Sequence, residues 1–232
     1  MNGESLPPLR HEIKLVATII DLPRVRAWLS LHPEGFSPSF PDRYVNSLYF
    51  DSPAAAMLGK HLAGQGRRTK LRLRWYGALD RASLAHWELK SKEFALGYKR
   101  SSAADITLDL HAGTWDRLLA ALHDRSEPLV SLYLAACPSP VLLVRYRRQY
   151  LESADGILRV TLDTDLSMYH QMLSRAPNIT QPNAPSERMV VEFKAPQSQQ
   201  SRLERALQGC PISLSRHSKY VTGTLEAWSH LG

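Results

Sequence analysis

Apolar and polar positions alternate along much of this chain, and the polar positions are charged. Lys70-Leu71-Arg72-Leu73-Arg74-Trp75-Tyr76 sets a cation at every second residue with an apolar residue between. Side chains on a strand point alternately to opposite faces, so such a segment is basic on one face and apolar on the other. The same period recurs in Glu12-Ile13-Lys14, Glu88-Leu89-Lys90 and Glu192-Phe193-Lys194, and continues through Val144-Arg145-Tyr146-Arg147 and Arg159-Val160-Thr161-Leu162-Asp163. The pattern predicts strands over 10–17, 44–51, 67–76, 84–92, 97–102, 141–151, 157–163 and 188–195. Ala154-Asp155-Gly156 is a turn signal that makes a hairpin of two of them. Helical patterns run from Asp21 through Leu29, over 54–62, 114–122, 127–136 and 203–207, and over 218–230. About eight strands with helices packed outside predict an α+β fold, a closed and mainly antiparallel β-barrel.

At 232 residues with 44% hydrophobic positions, the chain is expected to form a single domain, 1–232, with a substantial core. The formal net charge of +7 favours anionic partners without choosing among them. Cys137 and Cys210 fit no metal-ligand spacing and are read as reduced, inert thiols. Met1–Pro8 lacks an apolar signal core and no apolar run approaches ~18 residues, so no membrane span and a cytoplasmic location are expected. There is no G-x-x-x-x-G-K-[ST] loop and no G-x-G-x-x-G, which removes support for the common nucleotide folds.

Counting by alternation, one face carries Arg10, Lys14, Arg72, Arg74, Lys90, Arg145, Arg147, Arg159 and Lys194, with Lys99 and Lys219 as additions. The acids of the same parity are Glu12, Glu88, Glu192 and Asp163. A single Glu-x-Lys strand is ordinarily a solvated face with cross-strand ion pairs. That account fits six such segments poorly, because the acids are too few to pair the cations. A triphosphate would supply the missing charge, and arginine forks match phosphate oxygens. A divalent metal carried on phosphate needs only one or two protein carboxylates. Trp75, Trp87 and Tyr146 fall on the opposite parity and are read as core, which argues against a nucleic-acid partner.

These residues resemble the polyphosphate polymerase domain of the vacuolar transporter chaperone (VTC) family, within the triphosphate tunnel metalloenzyme superfamily. The matching pieces are Arg10-His11-Glu12-Ile13-Lys14, Asn46 to Asp51, Lys70 to Gly77, Glu88-Leu89-Lys90 with Lys99-Arg100, Arg145-Tyr146-Arg147, Arg159 to Leu166, Val191 to Lys194 and Ser218-Lys219-Tyr220. The resemblance implies a cationic tunnel binding ATP or another triphosphate with Mn²⁺ or Mg²⁺, in which the γ-phosphate passes to inorganic polyphosphate. It implies phosphate contacts from Lys14, Arg72, Arg74, Lys90, Lys99, Arg147, Arg159 and Lys219, and metal binding by Glu192. Arg72, Arg74, Lys90 and Glu192 are the expected catalytic set, with Arg10, Arg145 and Lys194 completing the phosphate-binding face. Arg10 stands where the hydrolase and cyclase branches carry a first glutamate, which favours the polymerase-like branch. Arg216-His217 departs from the polymerase pattern at the acceptor end. A triphosphatase using water as acceptor, or a non-catalytic polyphosphate- or nucleotide-binding module, are the alternatives.

Overall fold

The computed structural model describes residues 10–93, 96–104, 106–172, 174–183 and 186–213, together with Val221 and Leu225. The predicted helix over 218–230 therefore lies outside the described residues apart from Val221 and Leu225, and so do Lys219 and His217. Among the described residues ten strands run in chain order: β1 (Arg10–Thr18), β2 (Ser37–Asp51), β3 (Arg67–Tyr76), β4 (Arg81–Ala82), β5 (Ala85–Glu93), β6 (Leu96–Ala104), β7 (Leu108–Asp109), β8 (Ser139–Glu152), β9 (Arg159–His170) and β10 (Arg188–Pro196). Among the described residues five α-helices with defined bounds join them: α1 (Leu22–Ser30), α2 (Ala56–Leu62), α3 (Trp115–Asp124), α4 (Pro128–Ala136) and α5 (Gln200–Ala206). Eight strands make one large antiparallel sheet in the order β1-β10-β9-β8-β2-β3-β5-β6, and β4 pairs with β7.

Chain contacts divide the protein into two compact units: Met1–Arg43 with Tyr146–Leu166 and Ser186–His217, and Tyr44–Arg145 with Ser167–Pro185 and Ser218–Gly232. Each has its own core. In the first, Ile13 and Leu15 of β1, Val160 and Leu162 of β9, and Val191 and Phe193 of β10 share a face under Val25 and Leu29 of α1 and Leu203 and Ala206 of α5. In the second, Leu71, Leu73 and Trp75 of β3 join Leu48 and Phe50 of β2 and Trp87 and Leu89 of β5, under Trp115, Leu118 and Leu122 of α3 and Val130 and Leu134 of α4. Trp75 and Trp87 are core, as their parity predicts. In α1 and α3 helical spacing of the apolar residues gathers the buried ones on one stripe.

Three local features fix the elements that carry charge. Gly156, at φ +71°, closes the β8–β9 hairpin, where the Asp155 carboxylate accepts from Ser153 Oγ at 2.6 Å and from the Ile157 amide at 3.1 Å. Arg202 of α5 ties to the same turn through Asp155 at 2.6 Å and to Glu34 at 3.0 Å. At the end of β2 the buried Asp51 carboxylate accepts from the amides of Ser52, Met57 and Leu58 at 2.7, 2.9 and 3.0 Å, which satisfies the first turn of α2. The sequence reading starts β2 at Tyr44; the strand begins at Ser37, and its early part, where Pro38 and Pro41 lack amide donors, is mostly exposed. Cys137 and Cys210 are both free thiols, and burial pushes Cys137 up to about 11.

Loss of the Asp51 carboxylate strands those amide donors. Asp51→Ala is expected to lower unfolding free energy by about 1–3 kcal/mol, read as a drop in the urea midpoint without a change in slope.

Candidate functional site

Strand register determines which charged side chains meet. In the second unit Arg72 faces Tyr49 on β2 and Glu88 on β5, Arg74 faces Ser47 and His86, and Lys70 faces Lys90, which in turn faces Lys99 on β6. All of these lie on the sheet face away from the tryptophan core. Glu88, 4% exposed, is the acid at the centre. Its Oε2 accepts from Arg72 Nε at 2.5 Å and from Nη2, and its Oε1 takes Lys99 Nζ at 2.5 Å and Arg74 Nη1 at 3.5 Å. Arg72 Nη1 donates to the Tyr49 hydroxyl at 2.9 Å, and Arg74 Nε to Ser47 Oγ at 3.2 Å. Burial alone would raise the Glu88 pKa; Arg72, Arg74 and Lys99 together hold it far below the usual carboxylate range. Burial also lowers the Lys99 ammonium, with Glu88 opposing.

The first unit gathers a different set. Lys14 on β1 faces Glu192 on β10, which faces Thr161 on β9; Glu12 faces Lys194, which faces Arg159. Lys14 Nζ bridges Glu12 and Glu192, at 3.2 Å from Glu192 Oε1. Lys194 Nζ lies 3.2 Å from Glu192 Oε2. Arg148 makes a bidentate pair with the buried Asp163, at 2.6 and 2.8 Å, and its Nη2 is 3.8 Å from Glu192 Oε2. Burial works against ionisation of Glu192, yet contact with Glu12 and the charges of Lys194, Lys14 and Arg148 keep its carboxyl well below the usual range. The same carboxylates raise Lys14 against the effect of burial.

The remaining sequence-selected cations are more peripheral. Arg10 is exposed at the first residue of β1, opposite Pro196. Arg159 is exposed and pairs with Glu152 at 3.1 Å. Lys90 is exposed, and Lys99 half-exposed. Alternation assigns Arg145 and Arg147 to the charged face and Tyr146 to the core; Tyr146 is buried, but Arg145 and Arg147 make other contacts. Arg145 stacks on the Tyr44 ring at 4.0 Å, and Arg147, half-exposed, pairs with Asp42 at 3.2 Å. At this point of β8 the buried Tyr146 and the half-buried Arg148 are in cation–π contact at 5.1 Å. Arg145-Tyr146-Arg147-Arg148 has cations on both parities, and the continuous apolar run Val141–Val144 gives no frame to choose between them. Arg148 was therefore the functional candidate that alternation missed.

Among the described residues no group of three or more His, Cys, Asp or Glu is placed to cage a metal. Glu192 and Glu12, both held by Lys14, supply the one or two carboxylates that a phosphate-borne Mg²⁺ or Mn²⁺ requires. Opposite Glu192, the Thr161 hydroxyl is buried without a hydrogen-bond partner. A buried hydroxyl of that kind fits an incoming water or phosphate oxygen, so the residues suit a metal arriving with its phosphate and not an all-protein cage.

The VTC domain family matches residues 9–227, and the chain belongs to that family. In fold it is similar to a putative adenylyl cyclase from Hippeastrum, described as having a dominant triphosphatase activity, at 16% identity, covering 92% of this chain and 94% of that one, with a TM-score of 0.52. A putative adenylate cyclase from Vibrio parahaemolyticus is similar at 13% identity, covering 92% and 96%, with a TM-score of 0.50. No curated protein matches in sequence. No helix among the described residues is long and apolar enough to cross a membrane.

The folded-state pKa of Glu192 lies below its unfolded value near 4.5. Its contribution to stability is thus fully present above that value and is lost as pH falls below it. Glu192→Gln is expected to flatten the decline in urea midpoint between about pH 5 and pH 3. A decline as steep as in the wild type would mean that Glu192 is not held ionised by these cations.

Proposed function

We propose that this protein is a polyphosphate polymerase-like phosphotransferase that passes the γ-phosphate of ATP to an inorganic polyphosphate chain, with Mn²⁺ or Mg²⁺. On this reading the large sheet closes into a tunnel whose lining is the charged face. The observation that carries the reading is the cluster on that face in which Arg72, Arg74 and Lys99 converge on one buried carboxylate, Glu88, a concentration of cationic donors of the kind that phosphate oxygens need. Membership of the VTC family adds the expectation that the anion is a phosphate chain.

The chemistry asks little covalent work of the protein. The bond from the γ-phosphorus to the β–γ bridging oxygen breaks, a bond to a terminal oxygen of the acceptor chain forms, and ADP leaves with the electron pair. The loose transition state spreads charge over the transferring oxygens, so positioned donors do most of the catalysis. Arg72, Arg74 and Lys90 hold the group in flight, with Lys99 beside them. Lys14, Lys194, Arg159 and Lys219 hold acceptor phosphates, Arg10, Arg145 and Arg147 attract the chain, and Arg148 binds where alternation would put Arg147. Glu192, with Glu12 at hand, would hold the metal, whose charge neutralises phosphate oxygens when bound. The protein would work in the cytoplasm, drawing on ATP there. A second reading, triphosphate hydrolysis with water as acceptor, is favoured by the activity described for the Hippeastrum protein of similar fold.

Purified protein with ATP and Mn²⁺ or Mg²⁺, analysed by gel for long polyphosphate and by a free-phosphate assay, separates the two. Polymer supports the first reading, phosphate alone the second, and tight binding with neither product would make the protein a receptor. Arg72→Ala is expected to reduce the saturated rate by roughly 10²-fold, while ATP still binds through the remaining cations. Glu192→Gln should keep the fold and lose metal-dependent turnover; unchanged metal dependence would move the ligand role elsewhere.

A further inference from the structure

Two buried glutamates sit among cations, and their surroundings differ in kind. Glu192 meets the ammonium groups of Lys14 and Lys194 at 3.2 Å each, compact point charges on flexible stems, with Arg148 Nη2 further off at 3.8 Å. Glu88 is gripped instead by a planar fork, Nε and Nη2 of Arg72 on one oxygen, with Lys99 and Arg74 on the other. Arg72 is itself fixed from its far side, where Nη1 donates to the Tyr49 hydroxyl and the guanidinium lies 5.7 Å from the Tyr49 ring centre. A divalent ion needs an oxygen at ~2.1 Å and would have to break this side-on guanidinium pair. Glu88 is thus less suited than Glu192 to hold metal.

The register shows what else a carboxylate could do there. Beside the Tyr49–Arg72–Glu88–Ser101 row, the next row across β3, β5 and β6 is Lys70–Lys90–Lys99. Like charges directly opposite repel, and Lys99 reaches back to Glu88. A face of arginines and lysines without an acid would hold a phosphate chain in ground state and transition state alike. Such uniform binding adds nothing to the saturated rate and delays departure of the product.

We propose that Glu88 is a fixed counter-charge: it sets the spacing of Arg72 and Arg74 and lowers the affinity of their face for polyanions, so that a phosphate chain can leave. The proposal rests on the phosphate-binding reading above. Glu88 is a positioning and affinity-setting residue, and its removal has an unusual sign, since loss of a buried, fully engaged side chain should strengthen binding.

The test is calorimetric titration of the full chain with inorganic tripolyphosphate, in chelator and without metal. Glu88→Gln is expected to bind about tenfold tighter or more, and Glu88→Asp, which keeps the charge, should gain little. In turnover Glu88→Gln should lower KM for ATP without raising kcat, and leave the metal activation constant unchanged. A folded Glu88→Gln that binds tripolyphosphate equally or more weakly overturns the proposal. So does a raised metal requirement, which would make Glu88 a metal ligand. Should that variant fail to fold, the same substitution in a Lys99→Gln background removes one cation with the acid. It should then bind more tightly than Lys99→Gln alone, and equal or weaker binding overturns the proposal as well. Wild-type binding with no gain in these variants overturns this inference alone; absence of binding in every form overturns the phosphate-binding reading and this inference with it.

Discussion

The pleat of the sheet, with its period of two residues, is the constraint on which the rest of this protein depends. One parity along β3 and β5 builds the core of Leu71, Leu73, Trp75 and Trp87; the other presents Arg72, Arg74 and Glu88. The same division runs through β1, β9 and β10, where Leu15, Leu162 and Phe193 are core and Lys14, Thr161 and Glu192 are not. Packing and charge are therefore not independent features here. The helices that cover the apolar face fix the strands, and the strands fix the spacing of the cations.

The two charged groups differ in balance. Arg72, Arg74 and Lys99 share Glu88, whereas Lys14, Lys194 and Arg148 meet Glu12, Glu192 and Asp163. The first sets one buried carboxylate against three cations; the second sets three carboxylates against three cations. Both depend on burial. A solvated carboxylate with one arginine neighbour would contribute little, but where water is excluded each pairing strongly perturbs ionisation.

Most of the sheet was legible because alternating apolar and charged residues are unambiguous where they alternate strictly. Lys70 to Tyr76 is such a case, and both its core and its charged side chains lie on the faces that the pattern assigns. Legibility failed where the pattern degenerates. Adjacent arginines at 147 and 148 fit either face, and only tertiary packing against Asp163 and Glu192 selects Arg148. The early part of β2, with two prolines and mostly exposed residues, carries no strand signal at all. Partnerships were beyond reach for another reason: the grip of Glu88 on three cations depends on register across β3, β5 and β6, and no local spacing encodes which strands are neighbours.

That register also governs how such a chain can change in length over evolutionary time. A single residue inserted within β3 or β5 would carry every following side chain to the opposite face, sending arginine into the core and tryptophan to the charged side. Two residues would restore the faces but displace Arg72 from Tyr49 and Glu88. Insertions and deletions are tolerable only where no ladder has to be kept, as in 77–80 between β3 and β4 or 110–114 before α3. Length variation among homologues should therefore collect in those connections, leaving the Lys70–Tyr76 stretch free of gaps.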